Sequence, residues 1–238
     1  MWSCWRCCHS AAIRRSGRAG EIRRNGAVIS ERHARASRAG LRDSRAVNPL
    51  PLDPEAVRLS KLVTFADSEG GPLIVMSESA VPSWQGVFDS AGNAIFGKAP
   101  CDYDRACAES FGLIDVGRMK ALTLETPDNG AFVPRPEGAL IVRWVGADDA
   151  DTLLSAALAV SDDQLTEPVG ELPHDGGNLL MFDSAARGSA LDPNRTASID
   201  LPAGLYAVRL CIEWQGPVLG ADGQPHDVMV QVLELRRS

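Results

Sequence analysis

Alternating hydrophobic and polar positions predict a chain rich in β-strand, most clearly in its C-terminal half. Residues 205–214 alternate with the two-residue period of a strand that buries one face. The side chains predicted to share that face are Tyr206, Val208, Leu210, Ile212 and Trp214. Residues 228–235 predict the next strand, and residues 215–226, which contain Gly and Pro, predict the loop between the two.

Shorter stretches of the same kind predict eight further strands. These are residues 61–66, 72–77, 112–116, 120–124, 139–145, 164–172, 179–183 and 197–201. Residues 72–77 are apolar on both faces, which predicts a buried strand in the middle of its sheet. Gly117 lies between two of the strands and predicts a hairpin turn, whereas residues 127–138 contain Pro134 and Pro136 and predict a loop.

One segment has clear helical spacing, at residues 148–160. Its apolar stripe consists of Leu153, Leu154, Ala157 and Leu158. Asp148 is predicted to be the N-cap. A shorter helical turn is predicted at 104–110, with Asp102 or Asp104 as its N-cap. Because no long alternation of helix and strand occurs, we predict an α+β fold: a mixed, mostly antiparallel sheet with one main helix at about 148–160 and a β-rich C-terminal half.

The first 46 residues differ from the rest in charge and composition. They hold 11 Arg, no Lys and 3 acidic residues, whereas the remaining residues hold 13 basic and 28 acidic ones. We expect residues 1–55 to be a disordered Arg-rich segment and linker, and residues 56–238 to form a single acidic domain. The simplest explanation of the first 46 residues is an over-extended start, in which upstream DNA has been translated as if it were part of the protein. A disordered tail, an organelle transit peptide and metal binding by Cys4, Cys7, Cys8 and His9 are the alternatives.

Motifs for catalysis and for cofactor binding are missing from the sequence. There is no nucleophile elbow, no phosphate-binding loop, no dinucleotide fingerprint and no zinc-protease motif. A hydrolytic triad of His174, Asp183 and Ser184 is conceivable, as is a metal site made by carboxylates. The carboxylates concerned are Asp102, Asp104 and Glu109. Capping and solvated charge explain these residues more simply, so we expect no enzyme, no cofactor and no metal.

Residues 144–186, here called the acidic segment, contain no Lys or Arg. Their acids are Asp148, Asp149, Asp151, Asp162, Asp163, Glu167, Glu171, Asp175 and Asp183. One interpretation is a solvated surface that keeps the protein dissolved. The other is a docking face for a basic protein, since complementary charge speeds association. The same negative charge disfavours nucleic acid and anionic membranes as partners, and no run of 18 apolar residues predicts a transmembrane helix.

Several motifs occur in an order that is typical of one family. They are Gly70-Gly71-Pro72-Leu73-Ile74-Val75, Glu78-Ser79, Trp84, Asp102-Tyr103-Asp104-Arg105-Ala106-Cys107, Arg143-Trp144, Asp183-Ser184 and Leu201-Pro202-Ala203-Gly204-Leu205-Tyr206-Ala207-Val208-Arg209. Over residues 63–235 this order resembles the immunity protein 21 family of bacterial polymorphic toxin systems. The resemblance implies a cytoplasmic protein that neutralises a toxin by binding it.

We therefore expect a toxin-neutralising binding protein whose partner is a basic toxin domain. The residues predicted to contact the toxin are Asp148, Asp149, Asp151, Asp162, Asp163, Glu167 and Glu171. The motif residues predicted to have structural roles are Gly70, Gly71, Pro72, Trp84, Asp102, Tyr103, Asp104, Trp144 and Tyr206. A sheet-based module that binds a small ligand or sugar, and a hydrolase that uses His174, are the alternative functions.

Overall fold

The strands of the chain form two separate antiparallel sheets in a computed structural model, which describes residues 48–125 and 127–238. The predictions made for residues 1–46 lie outside these described residues. Eleven strands occur in the described residues. They are β1 (Phe65–Ala66), β2 (Leu73–Ser77), β3 (Phe111–Val116), β4 (Met119–Leu124), β5 (Gly130–Arg135), β6 (Gly138–Gly146), β7 (Glu167–His174), β8 (Gly177–Asp183), β9 (Ala197–Leu201), β10 (Gly204–Leu219) and β11 (Pro225–Arg237).

The six-stranded sheet has the order β1-β5-β6-β11-β10-β7, and the five-stranded sheet has the order β3-β4-β2-β8-β9. Strand β2 is central and fully buried, as its apolar sequence predicted. The hairpin predicted around Gly117 is confirmed as β3 and β4. Gly117 has a φ of 60°, a value that glycine adopts without strain.

A hydrophobic core fills the space between the two sheets. Val75 and Leu122 contribute to it from the five-stranded sheet, and Ile141 and Leu233 contribute from the six-stranded sheet. All four side chains are fully buried. Burial of each contributes roughly 1.5–3 kcal/mol relative to an exposed side chain. This core explains why alternate residues of the central strands are apolar.

Three α-helices of the described residues lie outside the sheets, as α1 (Pro54–Leu59), α2 (Asp102–Ala108) and α3 (Ala150–Ala159). Leu153 and Leu154 of α3 and Leu59 of α1 join the cluster on the outer face of the six-stranded sheet. Ala106 of α2 packs with Trp84 on the outer face of the five-stranded sheet. None of the described helices has the length and apolar content needed to cross a membrane.

The predicted α+β class, the antiparallel pairing and the main helix are confirmed, but several element boundaries were wrong. The N-cap of α3 is Asp149 rather than Asp148, because the Asp149 carboxylate accepts from the backbone N–H of Thr152 at 2.8 Å. Residues 130–135 of the predicted loop form β5. Its Pro134 pairs with Ala139. Most of the loop predicted at 215–226 belongs to β10 and β11, whose connection is only residues 220–224.

The alternation predicted along residues 205–214 holds only as far as Leu210. The pairing of β10 with β11 shifts between Cys211 and Trp214, which marks a β-bulge. A bulge adds one residue to a strand, so the side chains that follow it point to the opposite face of the sheet from the one that simple alternation predicts. Ile212, predicted to be buried, is therefore 41% exposed, and Trp214 packs on the outer face of the sheet instead of between the sheets.

Candidate binding surface

The seven predicted contact residues of the acidic segment lie in three places on the fold. Asp148 and Asp149 precede α3, and Asp151 is in its first turn. Asp149 is occupied as the helix cap, and its carboxylate also accepts from the hydroxyl of Thr152 at 3.0 Å. An acidic first turn stabilises the positive end of the helix dipole. These acids therefore stabilise α3 whether or not they touch a partner.

The second place lies at the other end of α3, about 15 Å along a helix of this length. There the Asp162 carboxylate lies 3.5 Å from Arg209 and 3.3 Å from Arg236. Both arginines come from strands far away in the sequence. The acidic segment itself contains no basic residue, but these two arginines from outside it make the surroundings of Asp162 less negative than the sequence predicted. Asp163 is exposed and accepts a hydrogen bond from Ser161.

The third place is β7, the edge strand of the six-stranded sheet. Glu167 and Glu171 are both exposed there. Within the described part of the chain, no salt bridge joins either glutamate to a basic residue. The carboxylates that remain available to a cationic partner are thus concentrated on β7 and on the turn that precedes it.

A histidine joins the start of α3 to the β10–β11 hairpin. His226 Nδ1 lies 2.6 Å from the Asp148 carboxylate, and its Nε2 lies 3.2 Å from the Asp222 carboxylate. The hydrogen bonds that the ring donates to these two carboxylates, the one to Asp148 first, raise the pKa of His226. We call these three residues the His226 clasp. No local sequence pattern predicts this contact, because 78 residues separate Asp148 from His226.

A cluster of charged side chains covers the part of the outer face of the six-stranded sheet next to Asp162. The Glu234 carboxylate accepts from Arg209 Nε and from Arg236, each at 2.9 Å. The Glu234 side chain is only 12% exposed. A cleft of about 470 Å³ lies beside this cluster, between the end of α3 and strands β6 and β11. Glu234 therefore fixes the guanidinium group of Arg236 on one wall of the cleft.

His174, the best catalytic candidate in the sequence, is a buried structural residue. Its Nδ1 lies 2.7 Å from the Ser77 hydroxyl, and its Nε2 lies 3.2 Å from the carbonyl oxygens of Gly177 and Leu201. Because carbonyl oxygens only accept, Nε2 carries the proton and Nδ1 accepts from Ser77. All the polar atoms of the ring are thus used in holding β7, β2 and β9 together.

Asp183 lies too far from His174 to form the imagined triad. In the register of β2 with β8, Leu73 pairs with Asp183 and Ser77 pairs with Leu179. The two positions on β2 are about 13 Å apart at the usual rise of a strand. The Asp183 carboxylate instead accepts from the backbone N–H groups of Glu69 at 2.6 Å and Ala185 at 2.7 Å. Burial raises the pKa of Asp183.

The carboxylates of α2 accept backbone hydrogen bonds, Asp104 as a capping group of the helix and Asp102 from the segment before it. Asp102 accepts from the backbone N–H of Gln85 at 2.9 Å, and Asp104 accepts from that of Cys101 at 3.0 Å. Cys101 is the N-cap, so the prediction that Asp102 or Asp104 has this position was wrong. No cluster of three His, Cys, Asp or Glu side chains suited to a metal ion occurs among residues 48–125 and 127–238.

Three aromatic motif residues make hydrogen bonds within the fold. Trp84 donates from its indole to the carbonyl oxygen of Ser184 at 2.9 Å, and the Tyr206 hydroxyl donates to that of Pro202 at 2.7 Å. The second contact closes the turn from β9 into β10. Trp144 donates to the carbonyl oxygen of Ala147 at 3.1 Å.

The described chain is thus an α+β protein of two antiparallel sheets, with buried Trp84 and Tyr206 and with solvent-facing carboxylates. The immunity protein 21 family matches residues 64–217. The chain belongs to this family, and the resemblance found in the sequence is confirmed. A search of curated proteins and a search of solved structures each found no match.

Proposed function

We propose that this chain is an immunity protein that neutralises a cognate toxin domain by binding to it directly, without catalysis. Membership of the immunity protein 21 family is the observation that carries the proposal. The toxin domain is a protein partner with a basic contact surface, and the two meet in the cytoplasm.

The distribution of charge supports a basic partner. Asp163, Glu167 and Glu171 form a solvent-exposed group on one edge of the six-stranded sheet and the turn that leads into it. Carboxylates arranged in this way attract a cationic surface over a distance of about 10 Å and raise the association rate. The toxins most readily matched to such a surface bind polyanions themselves, as nucleases do.

The contacts of the catalytic candidates support binding rather than turnover. His174 is buried and hydrogen-bonded at both ring nitrogens, and Asp183 is held by two backbone N–H groups. Neither group is placed to activate a nucleophile. A module for a small ligand is less well supported, because Arg236, one of the two arginines that line the 470 Å³ cleft, is already paired with Glu234 and Asp162.

Co-expression with the toxin domain encoded beside this chain tests the proposal. We expect cells that make both proteins to grow, cells that make the toxin domain alone to die, and the two proteins to co-purify. Equal killing with and without this chain, in cells that contain it as folded protein, would overturn the proposal.

A further inference from the structure

One stretch of strand β10 has an open edge. Strand β7 pairs with β10 only from Gly204 to Leu210, and Leu50 forms a bridge with Val218 further along. Between them, residues 211–216 have β11 on one side and no strand on the other within the described chain. The opening is therefore an interruption in an otherwise paired edge, wide enough for about three residue pairs of a further strand.

The direction of the free backbone groups follows from the contacts of Leu50. Leu50 N–H donates to the Pro217 carbonyl oxygen at 2.9 Å, and Leu219 N–H donates to the Leu50 carbonyl oxygen at 2.8 Å. Residues 217 and 219 thus face away from β11. Because both backbone groups of alternate residues point to the same side of an antiparallel strand, the N–H and C=O of Gln215 face the open edge as well. Pro217 fits this geometry, since its missing N–H would point outward.

The side chains beside the opening are partly apolar and otherwise acidic. Ile212 is 41% exposed, Glu213 is exposed, and Trp214 is half-buried. Glu167 lies opposite Leu210, at the point where the opening begins. The nearest cation along β10 is Arg209, which is already paired with Glu234 and Asp162. A strand entering the opening thus meets carboxylates that favour basic side chains.

Three other sheet edges, at β7, β3 and β9, fit a basic strand less well. Strand β7 carries Pro168 and Pro173, which interrupt a ladder. At the edge of the other sheet, Arg105 donates to the Asp115 carbonyl oxygen of β3. Beside β9, Asp200 shares a cavity with Arg135 and Arg237, so that edge is not uniformly acidic.

We propose that an extended, basic segment of the toxin domain pairs with residues 211–216 of β10 and so continues the line of β7. This inference rests on the proposed function. The backbone groups of Gln215 provide the pairing, as in other cases of strand addition to a sheet edge. The bulge and Glu213 disfavour pairing with a second, acidic copy of this chain.

Gln215→Pro is the most selective test, because it removes the outward N–H of residue 215 and adds a ring there, while the hydrogen bonds to β11 come from the neighbouring residues. We expect the variant to bind the catalytically inactivated toxin domain about tenfold or more weakly than wild type, from the lost hydrogen bond and the added ring. Gln215→Ala, the matched control, should bind like wild type. Equal binding by Gln215→Pro would overturn the inference. Failure of the wild-type chain to bind the toxin domain would instead overturn the proposed function.

Hydrogen exchange on the wild-type full chain tests the same idea without a substitution. The Gln215 amide should exchange rapidly in the free chain and slowly in the complex. A Gln215 amide that is already protected in the free chain would show that the chain itself or a second copy covers the edge. A Gln215 amide that stays unprotected in the complex would place the interface elsewhere. Either result would overturn the inference.

Discussion

The ring of Tyr103 lies directly against Gly71, so closely that a Cβ atom at Gly71 would come within 2.6 Å of the Tyr103 ring carbon Cε2. Tyr103 is 5% exposed, and it also contacts Phe96, whose ring centre lies 5.3 Å away in an edge-on arrangement. The ring thus has little room to move. This contact joins the two most specific motifs of the sequence, the Gly-Gly-Pro strand entry and helix α2.

Gly71→Ala should therefore destabilise the fold by overpacking, by about 1–3 kcal/mol. The measurement is the free energy of unfolding in urea. Gly146→Ala is the matched control, because a Cβ there would lie 3.7 Å from the nearest atom of Met229, an ordinary contact. If both variants lost the same stability, the close contact with Tyr103 would not be the reason for a glycine at position 71.

The His226 clasp should make stability depend on pH. Asp148 and Asp222 raise the pKa of His226 in the folded state, so the folded state binds a proton more tightly than the unfolded one. The clasp then contributes its full stabilisation below the unfolded pKa of about 6.5. That stabilisation is lost as the pH rises through the higher pKa of the folded state.

The difference in Tm between wild type and His226→Gln should be largest near pH 6 and should shrink toward pH 9. Asp148→Asn removes the first of the two partners and should lower the His226 pKa, which NMR titration of the ring would measure. A Tm difference that grew as the pH rose would contradict this account of the clasp.

Glu234 should be the most sensitive residue of the charged cluster. Its removal leaves Arg209 and Arg236 without their nearly buried carboxylate partner, and Glu234→Ala should cost about 1–3 kcal/mol of unfolding free energy, less than for a fully buried pair. The control is Asp115→Ala, which breaks an exposed pair with Lys120 and should cost less than about 1 kcal/mol. Similar losses in the two variants would mean that the Glu234 cluster is no stronger than a surface ion pair.

The acids of β7 should control how fast the toxin domain associates. Replacing Glu167 and Glu171 together by Lys should lower the association rate at low salt by about tenfold, and added salt should reduce the difference. Asp200→Lys, in the other sheet, serves as a charge-reversal control and should change the rate much less. Unchanged association after reversal at β7 would exclude that strand from the interface. Asp149 is unsuitable for such a test, because its substitution also removes the cap of α3.

Much of the fold could be predicted because its central strands are buried on definite faces. Strand β2 is apolar throughout, and α3 has a continuous apolar stripe, so both elements followed from local patterns. The division into two sheets did not follow, since strand pairing depends on contacts between distant residues. The bulge near Ile212 was missed for a related reason. One added residue moves the following side chains to the other face of the sheet, but it leaves the pattern of apolar and polar residues along the sequence unchanged.

The candidate surface was predictable only in part. The acidic segment was visible in the sequence, but Arg209 and Arg236 come from β10 and β11 and neutralise part of it. The open edge of β10 lies partly within a stretch predicted to be a loop. Its existence depends on where β7 begins and where Leu50 joins the sheet, and no local pattern encodes either point.

Titration of a fixed amount of active toxin domain with this chain is the most direct test of neutralisation by binding. We expect toxin activity to fall linearly and to reach zero at one molar equivalent, with a 1:1 complex observed by native mass spectrometry. Loss of toxin activity at far less than one equivalent would show turnover, and full toxin activity at several equivalents would show that the two proteins do not form an inhibitory complex. Either outcome would contradict the account.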